Sequence, residues 1–369
     1  MGNGGSLTIE TGRLSIRNGA ELTVDTSGQG NAGSLLVKAT DLVEVVGQNS
    51  FLTADVNSRA TGKGGSLTIE TRRLSIRDGG QVGSSTFGIG NAGDVFVRAT
   101  DIDIIGAAAN GNPSGLFSTS SQDARGNGGN LLVDAENLNL SHSGRLSAQS
   151  RGTGTGGNIT VNARNIRMRS NSDILTISNS GDGGNITLNA QTIVALENSD
   201  ILAFAPAGRG GNITFNTRAF LSDPLYRPSP SITDRATLFA ILSNDRVDVN
   251  ASGTVSGTVN GVPDITFLQN GLTQLSDNLI DPNTLLANSC IVRNREQNGS
   301  FKITGSGGLP YRPGDAPIAS FPTGEVRSLP TTQSQSARPW QLGDEIVEPQ
   351  GIYRLPNGKL VMSRECQTQ

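Results

Sequence analysis

The chain has 369 residues, enough for two domains or one elongated one, with 48 Gly, 4% aromatic residues, 17% charged residues and a formal net charge of −3. Gly at this frequency without a Gly-x-y period excludes collagen and points to many tight turns, and the near-neutral balance without a basic stripe argues against nucleic-acid binding. No apolar run approaches the length of a membrane span, and no charged segment followed by an apolar one opens the chain as a signal peptide would.

From the first residues the chain is organised by repeats. Gly4-Gly5-Ser6-Leu7-Thr8-Ile9-Glu10-Thr11 returns as Gly64-Gly65-Ser66-Leu67-Thr68-Ile69-Glu70-Thr71, and Asn31-Ala32-Gly33 returns as Asn91-Ala92-Gly93. Later units open on Gly128-Gly129-Asn130, Gly156-Gly157-Asn158, Gly183-Gly184-Asn185 and Gly210-Gly211-Asn212. The marker glycine thus stands at 5, 33, 65, 93, 129, 157, 184 and 211. Each unit holds about three short stretches of period-two alternation: Leu7 and Ile9, then Leu14 and Ile16, then Leu22 and Val24 in the first. Gly12, Gly19, Gly28 and Gly30 punctuate them, where corners favour positive φ.

Three short strands with one apolar face and no long connection are one coil of a solenoid, which buries that face only by stacking on its neighbours. The fold class expected is all-β: a right-handed parallel β-helix of ~27–32-residue coils, the hand following from the rule for parallel crossovers, then a small loop-rich C-terminal module. Eight coils at a strand spacing of about 4.8 Å would span roughly 40 Å. A propeller fits less well, since its units are longer and antiparallel. The expected division is repeats over 1–222, final strands, linker and a short helix over 223–290, and a connector with a terminal hairpin over 291–369. The repeat opens at Met1 with no capping segment, so the sequence is expected to be the C-terminal part of a longer protein.

Beyond the repeats, Pro224, Pro228 and Pro230 read as a linker, and Val247, Val249, Val255 and Val259 as further strands or a final coil. Asp281 and Pro282 would begin a short helix, and residues 305–345 read as an extended connector. Ile352–Leu355 and Lys359–Met362 flank an Asn357-Gly358 turn, a hairpin signal.

Candidate chemistry is sparse. Asp25, Asp55, Asp173 and Asp200 lie near strand ends in different coils and could line a groove, but a glycosidase needs two carboxyls at a set separation, and the reading favoured is solvated faces and turns. His142 is the one histidine, so a Ser-His-Asp site would depend on it; an exposed turn is the reading preferred. Two cysteines and one histidine cannot make a zinc site, and no cofactor is expected. The Gly-Asn-Gly-Gly-Asn strings lack the nine-residue aspartate spacing of calcium repeats, and Gly152-Thr153-Gly154 lacks what a phosphate loop needs. Asn158, Asn185 and Asn212 each begin an Asn-x-Thr sequon, but their periodicity fits a turn Asn and an outward Thr on each coil, with stacked Asn ladders.

The units Gly156-Gly157-Asn158-Ile159-Thr160-Val161-Asn162-Ala163 and Gly183-Gly184-Asn185-Ile186-Thr187-Leu188-Asn189-Ala190 resemble the filamentous haemagglutinin family of two-partner secretion exoproteins. The likeness is greatest to cyanobacterial members described as S-layer family or filamentous haemagglutinin N-terminal domain-containing proteins. The tail is similar as well: Leu286-Ala287-Asn288-Ser289-Cys290, Gly305-Ser306-Gly307-Gly308-Leu309-Pro310 and Gln350-Gly351-Ile352-Tyr353-Arg354-Leu355-Pro356-Asn357-Gly358. The resemblance implies export through an outer-membrane β-barrel transporter and a place outside the cell or on its surface. The N-terminal secretion domain that engages the transporter is not among these residues. In an extracellular setting a Cys290–Cys366 disulfide would tie the tail to the end of the solenoid, worth roughly 4 kcal/mol on the chain-entropy account.

The function expected is therefore an adhesin-like exoprotein, not an enzyme, with a rigid stalk for cell, matrix or glycan contact. The alternatives are a β-helical polysaccharide lyase or hydrolase and a structural surface-layer component.

Overall fold

A computed structural model describes residues 2–223, 234–263, 300–302, 325–328, 349, 351–355 and 357–363. The chain divides into two compact units, 1–267 and 268–369.

The first unit is an all-β parallel solenoid. Its coils begin at Leu7, Leu35, Leu67, Val95, Leu131, Ile159, Ile186 and Ile213, and a further rung opens at Val259. Coils 1–6 each contribute one long strand to a first sheet and coils 7 and 8 two four-residue strands each, and every coil gives a short strand to an eight-stranded second sheet. On the third side the coils meet through isolated parallel bridges, Thr26 to Val56, Val56 to Thr86, Thr86 to Ser120, Ser120 to Ser150 and Ser150 to Ser178.

The three expected stretches are two strands in most coils, because the first two fuse. Leu7–Arg17 runs unbroken, as do Leu67–Arg77, Val95–Ile105, Leu131–Ser141 and Ile159–Arg169. The inward set explains how one strand covers two sides. Val95, Val97 and Ala99 are buried, then Ile102 and Ile104, so the alternation slips by one residue at the bend. Leu35–Val46 is one residue longer and its register shifts against both neighbours, which marks a bulge at the same bend. Gly12 lies at this slip, inside the strand and without a positive φ, and Gly28 also lacks one, whereas Gly19 (φ 78°) and Gly30 (φ 145°) do take the left-handed corner expected of them.

Stacking in register makes the core a set of aliphatic columns. Ile9, Val37, Ile69, Val97, Val133, Val161, Leu188 and Phe215 form one; Leu22, Leu52, Val82, Leu116, Leu146, Ile174, Ile201 and Val249 form another. From Leu52 to Ile201 every member of the second column is fully buried. A buried aliphatic side chain contributes about 1.5–3 kcal/mol, and a single coil could not bury its own.

The marker glycine has a different cause from a corner torsion. A Cβ on Gly65 would sit 1.7 Å from the Gly33 carbonyl oxygen, and one on Gly157 2.0 Å from that of Gly129. Consecutive coils approach so closely there that no side chain fits. Outside, charges alternate along one register position, Glu10, Lys38, Glu70, Arg98 and Asp134, and give way to Asn162, Asn189 and Asn216. Opposite charges on facing strands favour this register over its slips.

Pairing continues past 222, where the repeats were expected to end. Val249–Asn250 joins the second sheet beside Ile201–Leu202, and Val259–Asn260 joins the first beside Ile213–Asn216. Val247, Val249, Val255 and Val259 thus belong to the end of the solenoid. Between Ser222 and Val249 the eighth coil carries a helix, Arg235–Ile241, capped by Asp234, whose Oδ1 accepts the Thr237 N–H at 2.7 Å. The sequence reading did not place this helix; the one it placed at Asp281 lies outside the described residues, as do Pro224, Pro228 and Pro230.

In the second unit Gly351–Arg354 pairs antiparallel with Leu360–Ser363 around Asn357 and Gly358 (φ 83°), as the hairpin signal predicts. Glu325–Ser328 pairs parallel with Gly351–Arg354 and antiparallel with Ser300–Lys302. Cys290 and Cys366 lie outside the described residues.

Candidate surface groove and buried carboxyl pairs

The coil interval decides which sequence candidates meet. Asp25 and Asp55 are one coil apart, and Asp173 and Asp200 are one coil apart, so each pair stacks. The pairs stand at opposite ends of the second sheet, in coils 1–2 and 6–7, and the four do not form one site.

Asp25 and Asp55 follow the second-sheet strands Glu21–Thr23 and Phe51–Thr53. Asp25 Oδ1 accepts the Asp55 N–H at 2.7 Å and the Thr53 hydroxyl at 3.2 Å, while Asp55 Oδ1 accepts the Ser85 N–H at 2.5 Å. The ladder continues through hydroxyls, Ser85 Oγ to Thr119 Oγ1 at 3.1 Å. Burial pushes the Asp55 carboxyl up to about 7; the Asp25 charge adds to this, and the Ser85 N–H works against it.

Asp55 lines a groove of about 210 Å³ that crosses the outer face of the second sheet in coils 2–5. Its floor is Gly83, where a Cβ would meet the Phe117 carbonyl oxygen at 2.2 Å. Phe87, 45% exposed, and Phe117 supply apolar faces, and Arg145 and Arg151 line it from coil 5. One wall is Asn112 and Pro113, part of the extra length of coil 4; an antiparallel bridge between Ala107 and Pro113 folds it back, and Gln81 Nε2 donates to the Pro113 carbonyl at 3.5 Å. None of these groove residues besides Asp55 was singled out from sequence. The available signal was the 36-residue interval between the markers at 93 and 129, the longest in the array.

The second carboxyl pair belongs to a stack of three. Arg145 donates from Nε (3.1 Å) and Nη2 (2.5 Å) to one oxygen of Asp173. Asp200 is fully buried; its Oδ1 accepts the Asp248 N–H at 2.9 Å, and its Oδ2 has no partner. Asp248, from coil 8, accepts from Asn244 Nδ2 at 2.7 Å. Burial raises Asp173 against the pull of Arg145, and pushes Asp200 up to about 8, with the Asp173 and Asp248 charges adding to it. Beside this stack Leu175, Ile177, Leu202 and Phe204 turn outward and are covered by Leu238 and Ile241 of the helix. Asp173 and Asp200 accordingly sit in a packed junction away from solvent, not on the solvated faces and turns expected of them, because the helix covers this end of the sheet.

His142 is exposed in a left-handed turn (φ 51°), its N–H donating to the Arg169 carbonyl at 3.2 Å. It borders a hollow with Asp103, Asn139, Arg167, Arg169 and Glu197. Both carboxylates there are engaged: Glu197 holds Arg169 and the Ser170 hydroxyl, and Asp103 holds Arg73 and Asn139.

The Asn sequons sit in a ladder. Asn158 Nδ2 donates to Asn130 Oδ1 at 3.1 Å, and the Oδ1 atoms of Asn158, Asn185 and Asn212 accept the N–H of Asn185, Asn212 and Thr258 at 2.9, 2.8 and 3.0 Å. Among the described residues no group of three or more His, Cys, Asp or Glu is placed to hold a metal ion, and no helix is long and apolar enough to cross a membrane.

No family model, curated protein or solved structure matches the chain. The groove stands on its own geometry.

Proposed function

We propose that this protein is a secreted or cell-surface exoprotein, adhesin-like, whose solenoid is a stiff carrier for a glycan-contact face on the second sheet. One observation carries the reading: the groove joins the apolar faces of Phe87 and Phe117 to Gln81, Asp55 and two guanidinium groups, on the second sheet and the segments that follow its strands. A sugar ring offers an apolar face and a rim of hydroxyls, and this combination meets both. Gln81, Phe117 and Arg145 stand on strands, which hold such groups in fixed geometry. The resemblance to two-partner secretion exoproteins supports export through an outer-membrane β-barrel partner and contact with cells or matrix.

A glycan array probed with the purified chain tests the reading. Binding is expected, and Phe87→Ala is expected to weaken it at least tenfold with an unchanged melting temperature, since Phe87 is half exposed. No glycan bound, or equal binding by the variant, would overturn it.

The polysaccharide lyase or hydrolase reading draws on a different observation, the Asp55 carboxyl poised near neutrality in the groove. Reducing-end or unsaturated-product assays on bound glycans separate cleavage from contact.

A further inference from the structure

We propose that the groove selects an acidic polysaccharide, one strand lying along the solenoid axis with a carboxylate held at the coil-5 end by Arg145 and Arg151; this rests on the glycan reading above. The groove is polarised. Its basic groups are these two guanidiniums on coil 5, and its carboxyl, Asp55, stands on coil 2. At a coil spacing of about 4.8 Å the ends are roughly 14 Å apart, so a chain reaching both must run across the coils. That direction passes Gly83 and the two phenylalanines.

Both arginines are held in place. Arg145 puts Nε and Nη2 on a single Asp173 oxygen, which orients the plane of its guanidinium, and Arg151 Nε lies 3.4 Å from Gln149 Oε1. An oriented guanidinium suits a planar carboxylate and loses little freedom on binding.

The far end repels such a chain less at moderately acid pH. Facing Asp55 are the Asp25 carboxylate from coil 1, the Thr53 hydroxyl beside it and the Ser85 N–H from coil 3. Arg145 and Arg151 lie beyond the ~8 Å screening length of physiological salt. With its carboxyl pushed up to about 7 by burial, Asp55 is neutral below that pH and there offers a donor to a sugar oxygen. Above it, a second charge joins Asp25 and opposes an acidic ligand.

The test uses the full chain and a panel of carboxylated polysaccharides (polygalacturonate, alginate, hyaluronate), each against its methyl-esterified form, with binding read by calorimetry at pH 5.5 and 8.5. At least one acid form is expected to bind ten times or more tighter than its ester at pH 5.5, and to weaken at pH 8.5. Arg151→Gln should remove most of the acid-over-ester preference, and Asp55→Asn should remove most of the pH dependence. Melting temperatures within about 2 °C of the parent identify folded variants. Equal binding of acid and ester forms, or an unchanged preference in folded Arg151→Gln, overturns the acidic specificity and leaves glycan contact standing. Binding of neutral glycans alone does the same. Binding of no glycan of either kind overturns both.

Discussion

Asp200→Asn tests the carboxyl stack most directly, because the change keeps the shape of the side chain and removes only its ionisation. Asp200 is fully buried, with one oxygen accepting from the Asp248 N–H and the other unpartnered, so an asparagine oxygen can keep the first contact. In the folded chain its carboxyl titrates near 8; in the unfolded chain it returns to the ordinary aspartate range near 3.8. Between those values the folded state holds a proton that the unfolded state has lost. Stability from this group is therefore complete below about 4 and declines as pH rises, by about 1.4 kcal/mol per pH unit, until it levels off above 8. From pH 5.5 to 8 that amounts to roughly 3 kcal/mol. Asp55 and Asp173 are raised as well and slope the same way, so the parent alone does not isolate the effect; the difference between parent and variant does. Urea denaturation followed by far-ultraviolet circular dichroism at pH 5.5, 7 and 8.5 is expected to show the two closest at pH 5.5, where they already differ by about 2 kcal/mol. The Asn variant should be the more stable by a margin that widens with pH. Parallel pH profiles of parent and variant would refute the burial argument.

Other consequences are simpler. Gly157→Ala puts a methyl 2.0 Å from the Gly129 carbonyl oxygen and forces two coils apart; a loss of roughly 3 kcal/mol is expected, read as a lowered urea midpoint. Asn158→Ala removes both a donor to Asn130 and the acceptor for the Asn185 N–H at a largely exposed position; a cost of about 1 kcal/mol is expected in the same assay. Leu238→Asp places a carboxylate against Leu202 and Phe204; it should free the helix while the sheets persist, seen as faster proteolysis within 234–248 with little change in the β signal.

Period and interval made much of this fold readable before any coordinates. Leu7 and Ile9 return as Leu67 and Ile69 because the same side of each coil must be apolar, and a column such as Leu52, Val82 and Leu116 follows once the coils are aligned by their glycines. The carboxyl pairs follow the same arithmetic, 25 to 55 and 173 to 200 each equalling one coil where 55 to 173 does not, but the reading of solvated faces and turns marked out no pair. What escaped depends on departures from the repeat. The slip of alternation between Ala99 and Ile102 looks in sequence like a break between two strands, yet the backbone runs through it as one. Gly157 reads equally well as a turn residue and as a close approach, and only the stacked Gly129 carbonyl separates the two. Asp234, Leu238 and Ile241 have helical spacing, but nothing local says that Ile177 and Phe204 point outward and need covering; that follows only when their columns hold polar Asp25, Asp55, Ser85, Thr119 and Gln149 in the earlier coils. The groove arises in the same manner, from the length coil 4 adds at Asn112 and Pro113 beside the missing side chain of Gly83, some thirty residues earlier. In a solenoid the repeat builds the frame, and features able to recognise anything arise where one coil differs from the next.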